Sequence, residues 1–129
     1  MTDKAGPQSV RWALFSLKGR IRRATYGLGM ALIFTLWWFA VSQLVSFRED
    51  SSQFTLWALI LAALAIVSTY CIYALCHKRI HDLGYPGAYA LVIVGFSTFL
   101  WAFLAIPLLL LGFLPGQREV NPYGPPPVS

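Results

Sequence analysis

Three long stretches without a charged side chain dominate the chain, and short polar breaks separate them. The first runs from Ala24 to Phe47, 24 residues. As a helix rising about 1.5 Å per residue it reaches about 36 Å, enough to cross a hydrocarbon core of roughly 30 Å with some tilt. Arg48-Glu49-Asp50-Ser51-Ser52-Gln53 makes a polar turn, and Phe54 to Cys76 is a second run rich in Leu, Ala and Ile. His77-Lys78-Arg79-Ile80-His81-Asp82 then interrupts the apolar pattern, ahead of the turn-forming Gly84-Tyr85-Pro86-Gly87. The third run, Leu83 to Gln117, has 35 residues. At about 52 Å it is too long for one upright span and short for two.

The pattern predicts an all-α membrane protein, a small helical bundle of about three transmembrane helices over 24–47, 54–76 and 91–113, in a single integral membrane domain covering 11–127. In this reading Leu83 to Ala90 lie at the interface and Pro107 kinks the last span. The alternative has four crossings, with the last run broken into a hairpin near Gly95 or Pro107. Arg11 to Lys18 mix aromatic and basic residues, which suits an amino-terminal segment at headgroup level. Residues 1–10 are expected to be disordered. The tail 115–129 contains five prolines and is expected to be non-helical.

Composition sharpens this placement. The apolar fraction is 57% and the charged fraction 12%, where soluble domains carry roughly a quarter charged residues; mean hydropathy is +0.62. The net charge of +5 would suggest nucleic acid in a soluble protein. Its distribution argues otherwise. Lys4, Arg11, Lys18, Arg20, Arg22 and Arg23 all precede the first apolar run, where basic residues orient a span. With Lys78 and Arg79 they make eight of the ten Lys and Arg residues on one side of a three-span protein, leaving Arg48 and Arg118 on the other. The positive-inside rule puts the amino terminus and the basic loop in the cytoplasm. The tail then falls outside with three crossings, inside with four. A cleavable signal peptide ending near Ala40-Val41-Ser42 is disfavoured, because its apolar core would exceed the usual length of about 7–15 residues. Cys71 and Cys76, about 140° apart around a helix, are expected to pack as small apolar side chains, with neither a local disulfide nor a zinc site.

Candidate chemistry is sparse. If the second helix continues through His77–Asp82, His77 and His81 lie one turn apart with Asp82 beside them, a partial ligand set for a metal. Too few further ligands stand nearby, and no metal or other cofactor is expected. Lys78 and Arg79 could hold the phosphate of an anionic lipid, with Asp82 bonded back to Arg20 or Arg23. Plain solvation of this basic loop is the rival. The spans carry no ionisable group other than the two thiols and the tyrosines, which disfavours ion pumping through charged side chains. Ser42, Gln43, Ser68, Thr69, Ser97 and Thr98 are expected to bond neighbouring helices or their own backbone. Trp12, Trp37, Trp38 and Trp57 read as interfacial anchors or lipid-facing bulk, and Trp101 as bulk.

Three segments together resemble the domain-of-unknown-function 805 family of small bacterial inner-membrane proteins. Phe15-Ser16-Leu17-Lys18-Gly19-Arg20-Ile21-Arg22-Arg23 with Tyr26 is similar to that family's opening, with Gly27 in place of a second aromatic. Lys78-Arg79-Ile80-His81-Asp82-Leu83-Gly84 with Gly87 is similar to its His-Asp signature, although Pro86 and Ala88-Tyr89 depart from it. Pro115-Gly116 and Asn121-Pro122-Tyr123-Gly124-Pro125 resemble its closing pattern. The resemblance implies a multi-span inner-membrane protein with no assigned activity, and marks Gly19, Arg20, Arg23, Arg79, His81, Asp82, Gly84, Asn121, Tyr123 and Gly124 as pattern positions. The expectation is a non-enzymatic structural or accessory protein in the bilayer. It would self-associate or bind another membrane protein, with Ala62, Ala63, Ala65 and Ser68 allowing close helix contact. The alternative is a small transporter, channel or membrane enzyme with the His77–Asp82 loop as its polar site.

Overall fold

The computed structural model describes residues 9–99 and 105–127. Among the described residues there are five helices: α1 (Val10–Phe15), α2 (Arg23–Ser46), α3 (Ser52–Asp82), α4 (Ala88–Phe99) and α5 (Ala105–Phe113). The expected disorder of residues 1–10 falls almost wholly outside the described residues, and Trp101 lies outside them too. Within them, Ser9 caps α1 by accepting from the Trp12 amide. The amino-terminal segment is helical only to Phe15, after which Ser16 to Arg22 run without helix and carry the chain into α2.

α2 and α3 form an antiparallel pair closed by the turn Phe47–Ser51, with Ser51 capping α3 through its bond from the Phe54 amide, 3.1 Å. Both are long and apolar enough to cross a membrane. Only 17% and 28% of the residues in their apolar stretches are buried. Leu28, Phe34, Trp38 and Val45 on α2 and Leu59 and Ile66 on α3 are exposed, Trp38 by 80%. The indole of Trp37 donates to the buried Ser68 hydroxyl across the pair, 3.1 Å, and Phe39 meets Trp57 edge to face. Ser42 and Thr69 bond backward to Phe39 and Ala65 of their own helices.

Two expectations need correction. The second helix does not stop at Cys76 but continues through the polar cluster to Asp82. Lys, Arg, His and Asp are tolerated in a helix; what ends it is Gly84. With φ +85°, Gly84 takes the left-handed position that closes a Schellman cap. Its amide bonds the His81 carbonyl and that of Tyr85 the Ile80 carbonyl, both at 3.1 Å. The basic "loop" is therefore the last turn and a half of α3.

The third run does not cross as one straight span over 91–113, because the residues on either side of it return to the same end of α3. Its described parts form α4 and α5. Gly95 lies within α4 and Pro107 within α5. Gly87, before α4, abuts the His77 ring, and Gly116, after α5, abuts the Asp82 carboxylate. Both open ends of this helical pair thus sit against the same end of α3. The tail returns to the end where α2 begins, not to the opposite end as three crossings would require. The buried core, Ile21, Tyr26, Met30, Leu75, Cys76, Ile80, Leu108 and Leu111 among others, lies toward that end.

Candidate functional site

Four charged side chains converge where α3 ends: Arg20, Lys78, Arg79 and Asp82. None is solvated. Lys78 and Arg79 are 0% exposed, and Arg20 and Asp82 are 3%. Asp82 is the shared anion. Arg20 donates from Nε to its Oδ1 at 3.0 Å, and Nη2 lies 2.9 Å from the same oxygen. Arg79, one turn back on α3, donates from Nη1 to Oδ2.

One carboxylate cannot balance three cations, and the remaining donors go to backbone carbonyls at helix ends and in the tail. Arg79 donates from Nε to the Leu111 carbonyl at 2.8 Å and from Nη2 to that of Leu114, so it caps the last turn of α5. Lys78 donates to the carbonyls of Trp12, 2.7 Å, and Ala13, and so caps α1; its ammonium also lies 4.3 Å from the Trp12 ring centroid. Arg20 donates from Nη1 to the carbonyls of Glu119, 2.9 Å, and Gly124, 3.1 Å, and from Nη2 to that of Gln117. The negative end of the α3 dipole adds to the field holding these cations. Burial pushes Lys78 down to about 8, which leaves it mostly charged at neutral pH.

The tail is held by a tight turn. Asn121 Oδ1 accepts from the Tyr123 amide at 3.0 Å, and Asn121 and Gly124 exchange backbone bonds, which fixes Asn121-Pro122-Tyr123-Gly124. Asn121 Nδ2 reaches the His81 carbonyl at 2.9 Å. Tyr123 lies flat on the His81 ring, centroids 4.0 Å apart, and His81 meets the His77 ring edge to face at 4.3 Å. Burial, followed by the neighbouring imidazole, lowers the affinity of His81 for protons, and burial lowers that of His77. The Nδ1 atoms of both are buried without a hydrogen-bond partner. Among the described residues no three His, Cys, Asp or Glu side chains gather as a metal site.

Nearly every pattern position is at this clasp. Gly19, at φ +93°, packs on Trp12; Arg20, Lys78, Arg79, His81, Asp82, Gly84, Asn121, Tyr123 and Gly124 take the places given above. Arg23 is apart: it is exposed, and Asp82 is bonded by Arg20 and Arg79 instead. Lys78 and Arg79, expected to meet lipid phosphate, point into the protein because the ends of α1 and α5 need donors. Sequence reasoning missed the carbonyls of Leu111, Leu114, Gln117 and Glu119, because a backbone acceptor leaves no mark in the residue type. It also missed Trp12 as a partner of Lys78.

Among the comparisons, no curated protein and no solved structure matches the chain. A family model described as "Protein of unknown function (DUF805)" matches residues 14–125, from the end of α1 to the turn that Arg20 holds. That span includes all four buried charges and nearly the whole of the chain, and the protein belongs to the domain-of-unknown-function 805 family.

Proposed function

We propose that this is a structural or accessory protein of the bacterial inner membrane, in which α2 and α3 cross the bilayer and α4 and α5 form a hairpin entering from the cytoplasmic side. The observation that carries the reading is the clasp: Asp82 shared by Arg20 and Arg79, whose other donors hold the tail and α5. It welds the amino-terminal arm, the end of α3 and the carboxyl-terminal tail into one rigid polar platform. Gly87 before α4 and Gly116 after α5 both abut the end of α3, which supports a pair that turns back on itself. The platform carries the surplus of basic residues, so it faces the cytoplasm by the positive-inside rule. A rigid face of this kind suits the display of a fixed surface to another membrane protein or to a second copy.

Topology is the direct test. In a Cys71→Ala, Cys76→Ala background, single Lys18→Cys, Glu49→Cys and Arg118→Cys substitutions are labelled with a membrane-impermeant maleimide. The expected result is labelling of Glu49→Cys in intact spheroplasts, and of the other two only after permeabilisation. Arg118→Cys reacting together with Glu49→Cys would overturn the hairpin. A second reading, a small transporter, channel or enzyme, draws on the two unpartnered imidazole nitrogens. It is favoured if His81→Ala keeps normal protein levels yet abolishes a phenotype.

A further inference from the structure

A groove of about 410 Å³ runs between α2 and α5, away from the clasp core but beginning at the same end of the molecule. One wall is a single face of α2, from Arg23 through Tyr26 and Gly27 to Phe34; Leu109 and Gly112 stand on the α5 side. Its lining is almost entirely apolar. The exception is Arg23, which is exposed and makes no hydrogen bond or ion pair among the described residues. An added Cβ at Gly27 would meet nothing within 4 Å, so the groove is open there, and Phe34 and Leu109 are more than half exposed along it.

Charge and length together point to one occupant. From Arg23 to Phe34 α2 rises about 16 Å, close to the half-thickness, about 15 Å, of a hydrocarbon core. The groove is thus one leaflet deep, with a free guanidinium at its headgroup end and, where acyl tails would lie, only apolar side chains and the Tyr26 ring, whose hydroxyl is bonded to the Leu108 carbonyl. Arg23 is also the first residue of α2, whose amino-terminal end has no side-chain cap, so the helix's partial positive charge adds to that of the guanidinium. We propose that this groove binds one anionic phospholipid, its phosphate on Arg23 and one acyl chain between α2 and α5. The proposal rests on the membrane placement above and moves the lipid contact from Lys78 and Arg79 to a different residue.

The test is native mass spectrometry of the full chain in detergent, titrated with phosphatidylglycerol or phosphatidylcholine. Wild type should hold one phosphatidylglycerol with about a five- to tenfold preference over phosphatidylcholine. Arg23→Gln should abolish the preference while leaving residual binding of both lipids. Gly27→Leu, whose Cβ meets nothing within 4 Å and whose side chain enters the groove, should reduce binding of both. Arg48→Gln, at the far end of the α2–α3 pair, should match wild type, and circular dichroism should show all three variants folded. No phosphatidylglycerol preference, a preference that survives Arg23→Gln, wild-type binding by Gly27→Leu, or a dimer in place of the lipid adduct each overturns the site. Recovery of the chain as a detergent-free soluble monomer would instead overturn the membrane placement itself.

Discussion

Replacing Asp82 by Asn removes the one anion from a buried group of three cations and changes almost no volume. Arg20 and Asp82 have side chains 1% and 4% exposed, so their contact is not screened as a surface ion pair would be. A hydrogen bond to a charged group contributes about 1.5–3 kcal/mol, and Asp82 accepts from two guanidinium groups, about 3–6 kcal/mol together. Asn keeps one neutral acceptor but turns an amide donor toward the other guanidinium, so roughly half of that survives at best. The expected loss is about 3 kcal/mol, in line with the roughly 3–5 kcal/mol of a broken buried pair. In thermal unfolding in detergent this corresponds to at least about 10 °C for a chain of this size. Raising sodium chloride from about 0.05 to 0.5 M should leave the wild-type midpoint nearly unchanged, because buried charges are poorly screened. In a double-mutant cycle with Arg20→Gln, the second substitution should cost about 1–3 kcal/mol less than the first. An Asp82→Asn midpoint within about 2 °C of wild type, or single losses that simply add, would refute the clasp as the source of rigidity.

Other expectations are quicker to state. Gly116→Ala would drive a methyl group into the Asp82 carboxylate and should lower stability by about 2 kcal/mol or more, whereas Gly27→Ala, in open helical space, should be neutral or raise it by up to about 1 kcal/mol; paired unfolding curves decide. Trp37→Phe and Ser68→Ala each remove the same interhelical bond and should each cost about 0.6 kcal/mol, with no further loss when combined. His77 and His81 take up protons less readily in the folded chain than at their ordinary value of 6.5, so the unfolded state binds protons first as pH falls. Their contribution is complete well above pH 6.5 and declines below it, and a His77→Phe, His81→Phe double variant should show a flatter unfolding profile below about pH 6.5.

Much of this was legible in the chain, for identifiable reasons. Charge-free runs at 24–47 and 54–76 become α2 and α3 because nothing in them breaks a helix and lipid-like surface needs length, not periodicity. Gly84 signals the end of α3, but the basic cluster before it looked like the stop, since hydropathy cannot tell a polar helix end from a loop. The ion pair between Arg20 and Asp82 could be anticipated from two polar segments expected on one side. Which of Arg20 and Arg23 supplies it depends on the helix start: Arg20 precedes α2 and lies buried, whereas Arg23 opens it and is turned outward. The tail's return was hidden, because its ties are carbonyls.

That hidden chemistry explains why the polar end of this fold is built from arginine. On the proposed membrane placement the re-entrant pair would finish in non-helical backbone close to hydrocarbon, where unpaired carbonyls cost several kcal/mol each. In such a place water would be scarce, and a lysine offers donors from one point only. A guanidinium presents five donors in a plane, so Arg79 reaches Leu111, Leu114 and Asp82 together, and Arg20 serves Gln117, Glu119, Gly124 and Asp82. Lys78 stands where two carbonyls, of Trp12 and Ala13, lie side by side and one ammonium suffices. Basic residues that read as a plain orientation signal are therefore also the caps on three backbone ends, and Asp82 is the counter-charge that lets two of them share one buried site.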